Sequence, residues 1–119
     1  MTLTTLVIGR SASAREAAIA TSIDTRYRTA LILEGMPDGT SPFEKFRNNE
    51  DVKIARIAPG CVCCTGNLTL RVTLNRILRR APARLYMSLA TATHLEEIRK
   101  LLEQAPYDAL LELTEDLRV

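Results

Sequence analysis

Tryptophan is absent from this 119-residue chain, which has only two phenylalanines and three tyrosines. With so few aromatics there is no platform on which single-stranded nucleic acid would stack. A large excess of either charge is missing too. The net charge is +2, too little to argue for a nucleic-acid partner. Arg71, Arg76, Arg79, Arg80 and Arg84 cluster in sequence, but that run reads as the solvated face of a helix. No stretch approaches the roughly 20 apolar residues that a membrane span needs. The segment from Met1 to Gly9 is apolar but lacks a basic leader and a cleavage-site pattern. Cysteine is limited to three residues, all between positions 61 and 64. Such a set excludes a disulfide framework, because one thiol is always left over and the vicinal pair closes only a strained ring. Unpaired cysteines and the missing leader point to a reducing cytoplasm.

What is present is the composition of a globular domain, 46% hydrophobic and 25% charged. The length fits one domain over residues 1–119. Leu3 to Ile8 and Thr29 to Leu33 are nearly continuous apolar runs, as expected of strands buried on both faces. Val52 to Ala58 alternates, with Val52, Ile54 and Ile57 as its apolar set, and Arg84 to Leu89 is a fourth strand. Ala109 to Leu113 makes a last short strand before an acidic tail. Between the strands lie helical patterns. Ser11 to Ile23 is alanine-rich, with Ser13 and Glu16 spaced as a capping box. Ser41, Pro42 and Glu44 open a short helix to about Asn48. Leu68 to Arg80 places Leu70, Leu74, Ile77 and Leu78 on one face, and a helix from Thr93 runs to about Gln104. Strands alternating with helices predict an α/β fold in three layers, with a mostly parallel sheet covered on both faces.

In such folds ligands sit beyond the carboxyl ends of the strands. Three segments fall there: the Gly9 to Ser13 loop, the loop Gly60-Cys61-Val62-Cys63-Cys64, and the turn from Thr91 to His94. Thiolates converging from one loop suit a soft or borderline metal, with zinc or cobalt as the natural candidates. Cysteine as a small apolar residue and a redox-reactive thiol are the other readings of the same loop. A closed tetrahedral zinc site needs a fourth ligand. His94, the one histidine, lies on this edge, as do Glu34 and Asp38.

The loop GCVCC after a strand, followed by a polar step and a leucine-containing helix, resembles the CobW-type GTPases, a P-loop family tied to metal handling. Leu85 to His94 looks like that family's later strand and turn, so the resemblance spans roughly residues 3–104. It implies a P-loop, Rossmann-like fold with Cys61, Cys63 and Cys64 as the metal site. It also implies a GTP and Mg²⁺ site over the run Gly9-Arg10-Ser11-Ala12-Ser13-Ala14-Arg15-Glu16. There the match is degenerate. A working loop needs G-x-x-x-x-G-K-[ST], whereas Ala14 stands for the second glycine, Arg15 for lysine and Glu16 for the Mg²⁺ hydroxyl. Gly9, Ser11, Ser13 and Arg15 are the residues left to touch phosphate. Ser88 stands where the family has glutamate and Thr91 where it has glycine. These departures favour a metal-binding module that has lost nucleotide hydrolysis. The alternatives are a GTP-hydrolysing metallochaperone using Arg15, or a vestigial interaction domain. Partners follow from the same reading: a metal ion, and a second copy of the chain or a complete CobW-like relative.

Overall fold

The computed structural model describes residues 1–36, 39, 41–58, 68–93 and 95–119. Six strands form one sheet: β1 (Thr2–Ile8), β2 (Thr29–Glu34), β3 (Val52–Ile57), β4 (Arg84–Leu89), β5 (Leu111–Leu113) and β6 (Leu117–Arg118). The order across it is β3-β2-β4-β1-β5, and β6 continues the β5 edge alongside the second half of β1. All pairings among the described residues are parallel, so the expected three-layer α/β architecture holds. Three helices connect the strands: α1 (Ala12–Ser22), α2 (Leu68–Leu78) and α3 (Leu95–Leu102).

Strand burial follows strand position. β2 lies between two neighbours and beneath both layers, and all six of its residues are buried. β3 is the outer strand, and only its first and last residues are buried. Ile54, expected in the core, is 41% exposed on this edge strand. Val7, Leu31, Leu33 and Tyr86 pack with Ile19 of α1 and with Phe43 and Phe46 on one face. Leu6, Ile32, Leu85 and Met87 pack with α2 and α3 on the other. Each fully buried aliphatic side chain contributes about 1.5–3 kcal/mol of transfer free energy, so both layers are needed.

The connections sort by face. Those from β1 to β2 and from β2 to β3 pass over the α1 face and move toward the β3 edge. Those from β3 to β4 and from β4 to β5 pass over the α2/α3 face and move back. The neighbours β1 and β4 therefore send their chains to opposite faces, which opens a crevice at their carboxyl ends.

Three local expectations are corrected. The helix expected over 41–48 is a single 3-10 turn, Glu44–Phe46. There the Ser41 Oγ accepts from the Phe43 N–H at 3.1 Å, and Glu44 pairs forward with Arg47 at 3.0 Å. α1 starts before the Ser13–Glu16 box: its N-cap is Ser11, whose Oγ accepts from the Ala14 N–H at 3.1 Å. The acidic tail is no tail. Thr114 donates its N–H to the Thr4 carbonyl at 2.9 Å, and Leu117 and Arg118 pair with Val7 and Ile8.

Helix α2 gives a direct check of the layering. Leu74 is fully buried against the sheet, whereas Val72 is 49% exposed. Leu74→Ala should lower stability by about 2–5 kcal/mol, and Val72→Ala should stay within about 0.5 kcal/mol. Urea denaturation of the two variants measures both; equal losses would mean that α2 is rotated from this orientation.

Candidate functional site

The crevice between β1 and β4 is bounded by Gly9 after β1, Glu34 at the end of β2, and Ser88 to Ala90 at the end of β4. A three-residue turn, Gly9-Arg10-Ser11, leads from β1 into α1, and from Ala12 onward the chain is helical. The run that resembles a phosphate loop is thus mostly the first turns of a helix. Arg15 and Glu16 precede Ile19 by four and three residues, so all three lie on the sheet-facing side of α1. Arg15 is 2% exposed and Glu16 is fully buried.

Two buried charges on an apolar face need partners, and both have them. The Arg15 guanidinium points into the crevice. Its Nε donates to the Ser88 Oγ at 2.7 Å, its Nη1 to the Gly9 carbonyl at 3.0 Å and its Nη2 to the Glu34 carbonyl at 3.2 Å. Burial pushes its pKa down, and the carboxylates of Glu34 and then Glu16 push it back up. Glu16 forms a two-pronged pair with Arg56 of β3, with both N–O distances 3.0 Å. The Arg56 guanidinium also reaches the Gly35 carbonyl and the Ser41 Oγ, each at 3.4 Å. Glu34 Oε1 accepts from the Ala90 N–H at 2.7 Å, joining β2 to the end of β4. Two guanidiniums and two carboxylates thus tie α1 to the carboxyl ends of β1, β2, β3 and β4.

This arrangement has a chemical sign. A phosphate site is built from donors, with backbone N–H groups and an ammonium aimed at oxygen. Here two carbonyls and a hydroxyl converge as acceptors on a cation supplied by the chain itself. No family model, curated protein or solved structure matches this chain. The comparisons thus give the resemblance to the CobW type no support.

Gly9 has an occupant of its own. Val119 donates its N–H to the Ile8 carbonyl at 2.9 Å and lies over the glycine. A Cβ at position 9 would stand 2.5 Å from Val119 Cγ2, 3.0 Å from the Val119 carbonyl oxygen and 3.2 Å from Arg15 Cγ. The glycine is needed for close approach of Val119, which is a role apart from any phosphate. Ser11 serves as the helix cap, and Ser13 lies half-buried in the first turn of α1. The structure thus brings Gly9, Ser11, Ser13 and Arg15 together at one turn, with Arg15 directed inward.

Cys61, Cys63, Cys64 and His94 lie outside the described residues, as does Asp38. β3 delivers the chain to the crevice edge at Ala58, and α2 takes it up again at Leu68. Among the described residues no group of three or more His, Cys, Asp or Glu is placed to hold a metal. Sequence reasoning missed the Glu16–Arg56 pair and the Arg15–Ser88 bond. The available signal was helical phase: Arg15 and Glu16 share the apolar stripe marked by Ile19.

Two sets of variants test this site. Gly9→Ala should destabilise by about 1–3 kcal/mol through overpacking, and Val119→Ala should restore part of that loss. A double-mutant cycle from denaturation curves measures the coupling; strict additivity would exclude the Gly9–Val119 contact. Glu16→Gln leaves Arg56 with a neutral partner and should cost about 2 kcal/mol. That is below the usual 3–5 kcal/mol for breaking a buried pair, because Arg56 is 25% exposed. The double variant Glu16→Leu/Arg56→Met should recover most of the loss. If it is less stable than Glu16→Gln, the pair is a net stabiliser.

Proposed function

We propose that this chain is a metal-binding module whose thiols Cys61, Cys63 and Cys64 hold zinc or cobalt, and that it does not hydrolyse nucleotide. One observation carries the second half. All three guanidinium nitrogens of Arg15 donate to Ser88, Gly9 and Glu34 inside the crevice where a phosphate chain would have to lie. A nucleotide would have to displace those bonds and then face carbonyl oxygens and the carboxylates of Glu16 and Glu34. Repulsion there disfavours a triphosphate.

The first half is supported by the donor set. Three thiols within four positions match the soft ligand chemistry of zinc and cobalt, which bind thiolate and release its proton. Bound there, the ion would cross-link the connection between β3 and α2. Such a site is completed by a fourth ligand, for which His94 is the candidate within the chain. A second copy or a complete CobW-like relative is the candidate outside it.

Titration of the reduced, chelator-free protein with Co²⁺ tests this reading, since thiolate coordination gives intense near-ultraviolet charge-transfer absorption. One equivalent should bind, zinc should displace it, and Cys63→Ser should abolish stoichiometric binding. A wild-type protein that takes up no metal would overturn the proposal. GTP or ATP with Mg²⁺ should leave the thermal unfolding midpoint unchanged; a rise at ligand concentrations near 1 mM would instead restore the nucleotide-binding alternative.

A further inference from the structure

The outward face of α2 is graded in a way that neither the fold nor the metal reading requires. Leu70 and Leu74 point into the sheet and are fully buried. On the opposite side Leu68 is 60% exposed and Val72 is 49% exposed, one turn apart. Arg76 continues that stripe in the last turn of the helix, and Arg79 and Arg80 follow in the turn just after it, all exposed. The face is therefore apolar in its first half and cationic in its second.

This is an unusual way to solvate a helix. From Leu68 to Arg80 the sequence has no acidic residue, so α2 lacks the internal ion pairs that normally line an outer face. α3 shows the contrast, where Glu96 and Arg99 pair one turn apart. Arg76, Arg79 and Arg80 make no ion pair with any described residue. Arg76 lies in the last turn of α2 with Arg79 and Arg80 just past its end, so three like charges crowd there and repel one another. The helix dipole at the carboxyl end offsets part of this, but it accounts for neither Leu68 nor Val72.

We propose that this face docks an acidic amphipathic segment of a partner protein. The segment lays aliphatic side chains on Leu68 and Val72 and carboxylates on Arg76, Arg79 and Arg80. Leu68 and Arg76 are eight residues apart in the helix, about 12 Å along its axis at 1.5 Å per residue, and Arg79 and Arg80 lie just beyond, so two to three turns of helix would match the surface. Arginine suits the task, because its fork binds carboxylate in two places and tolerates partial desolvation. A nucleic acid would use the arginines but gain nothing from Leu68 and Val72. The mixed chemistry favours a polypeptide.

The test uses the full chain, ¹⁵N-labelled and reduced. The probe is a 14-residue helical peptide with a leucine stripe at one end flanked by glutamates at the other. The expected result is saturable amide shifts confined to residues 68–80. Replacing the glutamates with glutamine should weaken binding at least tenfold, as should Val72→Asp or the pair Arg76→Glu/Arg79→Glu in the protein. All of these substitutions are on the surface, and circular dichroism confirms that each variant is folded. The absence of shifts up to millimolar peptide would overturn the proposal. So would binding indifferent to both sets of protein variants, or a 12-nucleotide oligouridylate that binds as tightly as the peptide. Concentration-dependent shifts of the same residues without peptide would assign the face to a second copy of this chain instead.

Discussion

The guanidinium of Arg15 is the constraint on which the carboxyl edge of this sheet depends. A cation with 2% exposure has lost its water on every side, and the loss is tolerable only if each nitrogen finds an acceptor. The acceptors come from three different strands: the Gly9 carbonyl after β1, the Glu34 carbonyl of β2 and the Ser88 hydroxyl of β4. β1 and β2 are not neighbours in the sheet; β4 lies between them. One side chain thus ties together three strand ends whose ladders already run out to Ile8, Leu33 and Leu89. Glu16, one residue on, extends the network to β3 through Arg56. The helix that carries both residues is held to the sheet by polar bonds at its start and by Ile19 one turn later.

That network bears on function through its direction. An open α/β sheet leaves backbone groups without ladder partners beyond its carboxyl ends, and something must satisfy them. A phosphate-binding site leaves N–H groups for phosphate. In this chain two carbonyls and a hydroxyl turned into the crevice are met by the Arg15 cation, and the Ala90 N–H is met by the Glu34 carboxylate. Placing a glycine, a lysine and a hydroxyl residue at positions 14, 15 and 16 would not by itself make a phosphate loop. The helix already begins at Ala12, and Val119 lies over Gly9. Such a loop would need the turn to lengthen and the last strand to withdraw together.

The layers were readable from the sequence because their signal is local. β1, β2 and β4 are apolar runs of strand length, and α2 carries its buried residues at helical spacing, so period and length were enough. The misreadings share a different cause. Ile54 is apolar in an alternating run, yet its exposure depends on which strand ends up at the edge, a fact of topology. The Ser13–Glu16 spacing fits a capping box, but Glu16 is drawn inward by Arg56, forty residues away. Ser11, two positions earlier, takes the cap. Residues 114–119 look acidic and unstructured. Their pairing with β1 comes from Leu117 joining the α1-face core and from the unpaired second half of that strand. In each case a long-range partner outweighed a local preference.

The charged residues of this protein divide by what the fold has done with them. Arg15, Glu16, Glu34 and Arg56 meet at the crevice edge, where two positive and two negative charges offset one another and stabilise the sheet without a ligand. Arg76 of α2 and Arg79 and Arg80 just after it lie in water, in a segment with no acidic member. Charges of the first kind add rigidity to a fold, because removing one leaves its partner uncompensated. Charges of the second kind add little rigidity, since water screens them over about 8 Å at physiological salt. Their effect is felt when another surface approaches and excludes that water. The crevice, where such folds ordinarily recognise ligands, is thus filled by the chain's own residues, while Arg76, Arg79 and Arg80 stay exposed beside Leu68 and Val72.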